Sequence, residues 1–167
     1  MRYIAAPWRE AYVRGGSEPA GCFLCRAARA KDDERSHVLC RGRHAFVVLN
    51  KYPYLPGHLM IAPFRHLAAF ENASEALTRE MTVLLQRSLK ALKTAYAPHG
   101  FNTGMNLGRS AGAGVAGHFH YHVVPRWTGD SNFMPLLAGT RVVLEDIDTT
   151  YGRLRPLFRA GRTRSRA

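Results

Sequence analysis

Residues 117–127, GHFHYHVVPRW, set three histidines at every second position, His118, His120 and His122, with Phe119, Tyr121 and Val123 between them. A period of two is the signature of a strand. A strand over residues 118–124 puts the three imidazoles and Val124 on one face and the apolar residues on the other. Successive imidazoles then sit about 6–7 Å apart. Three readings fit such a row. The first is a solvent-facing strand in which histidine is a matter of composition; strict alternation beside Gly112, Gly114 and Gly117 speaks against it. The second is a catalytic metal site with H-x-H as two ligands; it needs a third ligand and a nearby acid, and Asp130, Glu145, Asp146 and Asp148 fit no evident pattern. The third is nucleophilic catalysis. A neutral imidazole attacks phosphorus and forms a phosphoramidate labile enough to be resolved by water or another acceptor. The turn GRSAGAGVAG ahead of the strand offers backbone N–H groups to a phosphate, as nests do.

Working outward, HVLCRG and HAFVVLN read as two strands joined by a tight turn at Gly42, because β-branched and apolar residues cluster between turn formers. KYPYLPG cannot continue a ladder, since Pro53 and Pro56 remove donors. HLMIAP is the next strand. Asn72 with Glu75 looks like a capping pair, and Leu77, Met81, Leu84, Leu85, Ser88, Leu89, Leu92 and Tyr96 repeat at helical spacing until Pro98 and Gly100. FNTGMNLG is a strand running into the glycine turn. A loop, RWTGDSNFMP, follows the histidine strand, and a further helix is expected near residues 144–158. Three strands in succession without intervening helices argue for an antiparallel sheet of about five strands with one long helix on a face, an α+β domain. The chain divides into an N-terminal arm (1–20), a main domain (21–127), a C-terminal extension (128–158) and a basic tail (159–167).

A chain of 167 residues with 46% hydrophobic residues fits one globular domain. No apolar run is long enough to cross a bilayer, and MRYIAAPWREAY lacks the apolar core of a signal peptide. A cytoplasmic protein is the expectation. The net charge of +12 raises nucleic acid as a partner. Six arginines after residue 150, from Arg153 to Arg166, come with no acid; without them the remaining 18 Lys and Arg exceed the 12 acids by only six. A solvated basic tail therefore accounts for half of the excess, and nucleic acid is not the expected partner.

Cys22, Cys25 and Cys40 are an odd number, which argues against a disulfide framework. The first two have C-x-x-C spacing. A redox motif expects a strand before the pair, whereas GGSEPAG is a loop, so a metal is favoured. Cys40 reads as a buried strand residue.

HFHYHVV fits the pattern H-φ-H-φ-H-φ-φ, φ being apolar, and with NLGRSAGAGVAG before it and PRW after it resembles the histidine triad (HIT) superfamily. VVLNKYPYLPGHLMIAP resembles that family's other signature. APWR, GFN and PRWTGDSNFMP are similar to the branch of diadenosine polyphosphate hydrolases and phosphorylases. The resemblance covers roughly residues 20–127. It implies a HIT-like fold, a homodimer sharing one sheet, and a nucleotidyl hydrolase or transferase acting at the α-phosphate of dinucleoside polyphosphates or related nucleotide conjugates, with no catalytic cofactor. By motif position His120 is the nucleophile and His122 contacts the phosphate and assists the leaving group. Asn106, with backbone at Gly112, Ala113 and Gly114, holds phosphate oxygens, Asn50 binds ribose hydroxyls, and His58 supports the nucleophile. Family members usually carry a glutamine or hydroxyl residue near Gly114. Ala113-Gly114-Val115 departs from that and leaves the acceptor, water or phosphate, undecided. Some members hold a structural zinc through a C-x-x-C, a histidine after the second strand signature and the first triad histidine. Cys22, Cys25, His66 and His118 correspond, and two thiolates with two imidazoles suit a closed tetrahedral site. Such a zinc would commit His118 as a ligand and leave catalysis to His120 and His122. From a different class, a nucleotide-binding regulatory module with little turnover also fits the motifs.

Overall fold

The computed structural model describes residues 21–130 and 145–160. Five strands, β1 (Val38–Arg41), β2 (Ala45–Leu49), β3 (Leu59–Pro63), β4 (Gly100–Met105) and β5 (Tyr121–Arg126), form one antiparallel sheet in the order β1-β2-β3-β5-β4. The helices are α1 (Phe23–Arg29), α2 (Glu75–Tyr96) and α3 (Ile147–Ala160). The α+β architecture and the five strands are those expected. The insertion of β5 between β3 and β4 is not legible in local pattern, and it is what gives the histidine strand an interior position.

The sheet has two covered faces. Leu39, Val47, Leu49, Leu59, Ile61 and Val123 pack with Leu77, Met81, Leu84 and Leu92 of α2 and with Tyr151, Leu154 and Phe158 of α3. Phe46, Val48, Met60 and Ala62 face the other way and pack with Leu24 and Ala27 of α1. The alternation in β2 and β3 thus serves two apolar layers, and both strands are buried throughout. At roughly 25 cal/mol per Å² of apolar surface removed from water, these layers dominate the stability. The register pairs His122 with Met60 on one side and Gly104 on the other. His122 therefore stands on the α1 face, opposite the long helix.

Several local expectations are corrected. The N-cap of α2 is Ser74, whose Oγ accepts the Leu77 N–H at 3.3 Å; Asn72 ends a short 3-10 turn, two residues too early to reach an orphan N–H of the helix. The histidine strand begins at Tyr121, not at 118. The Phe119 N–H donates to the Leu67 carbonyl and the His118 N–H to that of Val115, so the chain is still leaving the turn there. Arg153 and Arg155, grouped with the tail by sequence, lie in α3, where Arg153 pairs with Glu145 at 2.8 Å and Arg155 with Asp33 at 3.1 Å. The expected arm (1–20), residues 131–144 of the loop and C-terminal extension, and residues 161–167 of the tail lie outside the described residues.

Arg41 of β1 fixes α1 in place. Its guanidinium donates to the carbonyls of Ala27, Ala28 and Ala30 at the helix end, while Nε pairs with Asp33 at 2.7 Å. Cys40 is buried, as expected of a strand residue.

Candidate active site and metal-ligand cluster

Two clusters of side chains meet at the start of β5. The first joins Asn50, His58 and His122. Gly57 delivers the chain into β3 with φ +77°, and a Cβ there would sit 2.9 Å from Leu92, so this turn needs glycine. His58 follows, almost fully buried at 1% exposure, and a polar ring so placed requires partners. Its Nδ1 accepts the Tyr54 backbone N–H at 3.0 Å, with Asn50 Nδ2 at 3.3 Å. A neutral imidazole that accepts at one nitrogen carries its hydrogen on the other, so His58 Nε2 donates to His122 Nδ1, 2.9 Å away. By the same rule neutral His122 holds its hydrogen on Nε2. Two hydrogen bonds, the first of them from the main chain, thus convert an N–H of a loop into a defined donor on His122.

His120 lies beside His122, with ring centroids 4.7 Å apart. Its Nδ1 is 2.9 Å from the His118 carbonyl, which can only accept, so Nδ1 carries the hydrogen and Nε2 the lone pair. Burial holds the His120 imidazole below its ordinary basicity, and the bond to His118 opposes this in part. The ring is therefore neutral and nucleophilic at pH 7, next to a ring that presents a proton. One group that attacks and one that protonates what leaves is the requirement for displacement at phosphorus or carbonyl centres.

The second cluster is Cys22, Cys25, His66 and His118, whose ligand atoms all lie within 4.8 Å of one another. Cys25 Sγ is 3.2 Å from His66 Nδ1 and 3.5 Å from His118 Nδ1, and Cys22 Sγ is 3.4 Å from His118 Nδ1. Zinc bonds of about 2.3 Å to sulfur and 2.0–2.1 Å to nitrogen put S and N about 3.5 Å apart at a tetrahedral angle, so the spacing fits. The tautomer fits as well: His118 Nε2 donates to the Pro63 carbonyl at 2.9 Å, turning the Nδ1 lone pair toward the thiols. Burial pushes the Cys25 thiol up, and its neighbour Cys22 adds to this, so Cys25 resists ionising without a cation. Gly117 leaves room for the His66 ring, whose Nε2 would lie 3.1 Å from a Cβ at that position.

Asn106 Nδ2 lies 3.5 Å from the Gly112 carbonyl, across the largely exposed loop that carries Gly112, Ala113 and Gly114.

The family model described as HIT domain matches residues 31–129. The chain belongs to the HIT family. An AP-4-A phosphorylase of Mycobacterium tuberculosis is 44% identical over 111 residues, which are 66% of this chain and 57% of that protein. This HIT chain thus spans little more than half the length of that curated relative. A bis(5'-nucleosyl)-tetraphosphatase [asymmetrical] of Schizosaccharomyces pombe is 22% identical over 129 residues, covering 77% of this chain and 67% of the other. A Zn-bound histidine triad family protein from Mycobacterium smegmatis shares the fold at a TM-score of 0.66, with 22% identity, 84% of this HIT chain and 94% of that one covered. Among the described residues no helix is long and apolar enough to cross a membrane.

Sequence reading of the HIT motifs missed Tyr54, whose backbone N–H sets the His58 tautomer and whose ring lies 4.6 Å from that of His58 and 6.0 Å from that of His122. It also missed the Pro63 carbonyl, which orients His118. Main-chain partners leave no trace in residue type, although Tyr54 between Pro53 and Pro56 marks a connection held in one conformation.

Proposed function

We propose that this HIT chain is a nucleotidyl hydrolase or transferase acting at the α-phosphate of dinucleoside polyphosphates or related nucleotide conjugates. The observation that carries this reading is the opposed tautomers of two adjacent rings, lone pair on His120 Nε2 and proton on His122 Nε2. In the first step His120 Nε2 attacks the α-phosphorus, the bond to the bridging oxygen breaks, and the leaving polyphosphate takes the proton from His122 Nε2. In the second step water or phosphate attacks the phosphoramidate, gives its proton to His122 and frees His120. Asn50 is assigned to the ribose hydroxyls, Asn106 and the backbone from Gly112 to Gly114 to phosphate oxygens, and His58 to the support of His122.

Zinc is assigned to Cys22, Cys25, His66 and His118 on the spacing and tautomer given above, and the Zn-bound relative supports it. It supplies a structural link between α1 and the start of β5, so catalysis rests on His120 and His122. The exposed edge strand β4 supports a homodimer built by sheet extension.

The test is incubation with diadenosine tetraphosphate, with and without inorganic phosphate, and chromatography of the products. ADP formed only with phosphate identifies phosphorolysis, and AMP with ATP identifies hydrolysis. The names of the tuberculosis and fission yeast relatives support both outcomes. Formation of neither ADP nor AMP refutes the enzymatic reading.

A further inference from the structure

The two clusters are not independent, because one residue belongs to both. The His118 side chain faces the thiols of Cys22 and Cys25 through Nδ1, while its main-chain carbonyl accepts the hydrogen of His120 Nδ1 at 2.9 Å. We propose that His118 is a positioning residue through which metal occupancy sets the tautomer and aim of His120. This rests on the assignment of His120 as nucleophile and of the four-residue cluster as a metal site.

The physical chain has three links. A metal on Nδ1 leaves Nε2 as the only place for the His118 hydrogen, and that hydrogen points at the Pro63 carbonyl 2.9 Å away. Pro63 is the last residue of β3 and pairs with Ala45, the first residue of β2, so the His118 ring is referred to the sheet. With the ring fixed at both nitrogens the residue cannot rotate, and its carbonyl stays aimed at His120. Without a metal, Nδ1 can itself carry the hydrogen and donate to sulfur at 3.4–3.5 Å, which removes the donor to Pro63. His118 precedes β5, and its peptide plane is held through the Phe119 N–H by the Leu67 carbonyl at 2.7 Å, in a segment tied to the same cluster by the preceding residue, His66. His120 then samples the tautomer with its hydrogen on Nε2, which cannot attack phosphorus.

The experiment compares the full chain loaded with one zinc and the same chain stripped by a chelator under reducing conditions, with circular dichroism showing that both are folded. The ring nitrogens of His120 are read by 15N NMR in histidine-labelled protein, assigned with His120→Asn. The loaded protein is expected to show His120 in one tautomer, hydrogen on Nδ1; in the stripped protein the two 15N shifts move toward each other. Turnover of diadenosine tetraphosphate is expected to fall about tenfold or more in kcat, with KM little changed, within the 10–100-fold range typical of residues that orient a reacting group near a metal. His66→Asn, which removes an exposed ligand with no contact to His120, should reproduce the stripped spectrum. Identical His120 shifts in the loaded and stripped states overturn the proposal. A protein that takes up no zinc overturns the metal assignment and this proposal with it. Zinc-dependent shifts in a protein without turnover in either state support the coupling and refute the enzymatic reading.

Discussion

His58 and His122, 64 residues apart in sequence, are joined Nε2 to Nδ1 at 2.9 Å, and the Tyr54 main chain decides which of them donates. Replacing His58 by leucine keeps the volume and removes both bonds. The Tyr54 N–H loses its acceptor, at a cost of about 1–3 kcal/mol for a buried donor left unmade. His122 loses its tautomer preference, so turnover should drop, bounded by the roughly 10²–10⁴ that a whole acid–base contribution provides. Urea unfolding and steady-state kinetics on diadenosine tetraphosphate read the two effects separately; wild-type kcat in this variant sinks the assigned role.

The acid limb of the pH profile follows from His120. Burial disfavours its imidazolium, so its folded value lies below the ordinary imidazole value of about 6.5. The neutral form, and with it kcat/KM, should survive as pH falls through 6.5 and be lost only below it. The sign for stability is the same: the unfolded chain takes up the proton first, so the contribution of this group is fully present above about pH 6.5 and declines as pH falls further. A limb whose midpoint lies above 6.5 contradicts the assignment of His120 as the group that must be neutral.

Glu80 of α2 holds the β1–β2 turn. Its carboxylate accepts the backbone N–H groups of Arg43 at 2.7 Å, Ala45 at 3.1 Å and His44 between them. Glu80→Ala leaves three turn donors to water and should cost about 1–3 kcal/mol. The urea midpoint should fall at unchanged m-value, while kinetics on the folded protein stay as in wild type, because the turn is at the far end of β2 from Asn50.

Removal of zinc is predicted to lower the melting temperature. A metal present at about a hundred times its dissociation constant contributes about 2.7 kcal/mol, which for a domain of this size is about 5–10 °C. Scanning calorimetry with and without chelator, beside a metal analysis giving one zinc per chain, checks this. The Cys22→Ser, Cys25→Ser double variant should melt at the chelated temperature and be insensitive to chelator.

Much of this was legible in the residues. β2 and β3 announced themselves as apolar runs bounded by Gly42, Asn50 and Pro53, and α2 by the spacing of Leu77, Met81, Leu84 and Leu92. The candidate site was legible as residue types: the alternating histidines, and a C-x-x-C with two further imidazoles to complete four ligands. Partners made through the main chain were not. The Tyr54 N–H, the Pro63 carbonyl and the His118 carbonyl decide three tautomers; any residue supplies such a carbonyl and any but proline such an N–H. Ser74 escaped because Asn72 and Glu75 mimic a cap at nearly the right spacing. The late start of β5 escaped because alternation describes side chains, whereas a ladder needs neighbours, and Leu67 and Val115 take those N–H groups first.

The sheet order also dictates when the site comes into being. β5 must slip between β3, some sixty residues earlier, and β4, which arrives only after the α2 crossover. Contacts of such separation are slow to close. His58, His120 and the thiols of α1 therefore remain strangers until the chain through Arg126 has been made and threaded into its slot. A ribosome-bound fragment ending before β5 carries the other four strands without the one that fits between β3 and β4, so the paired rings of the candidate site come together in a single late event instead of by degrees.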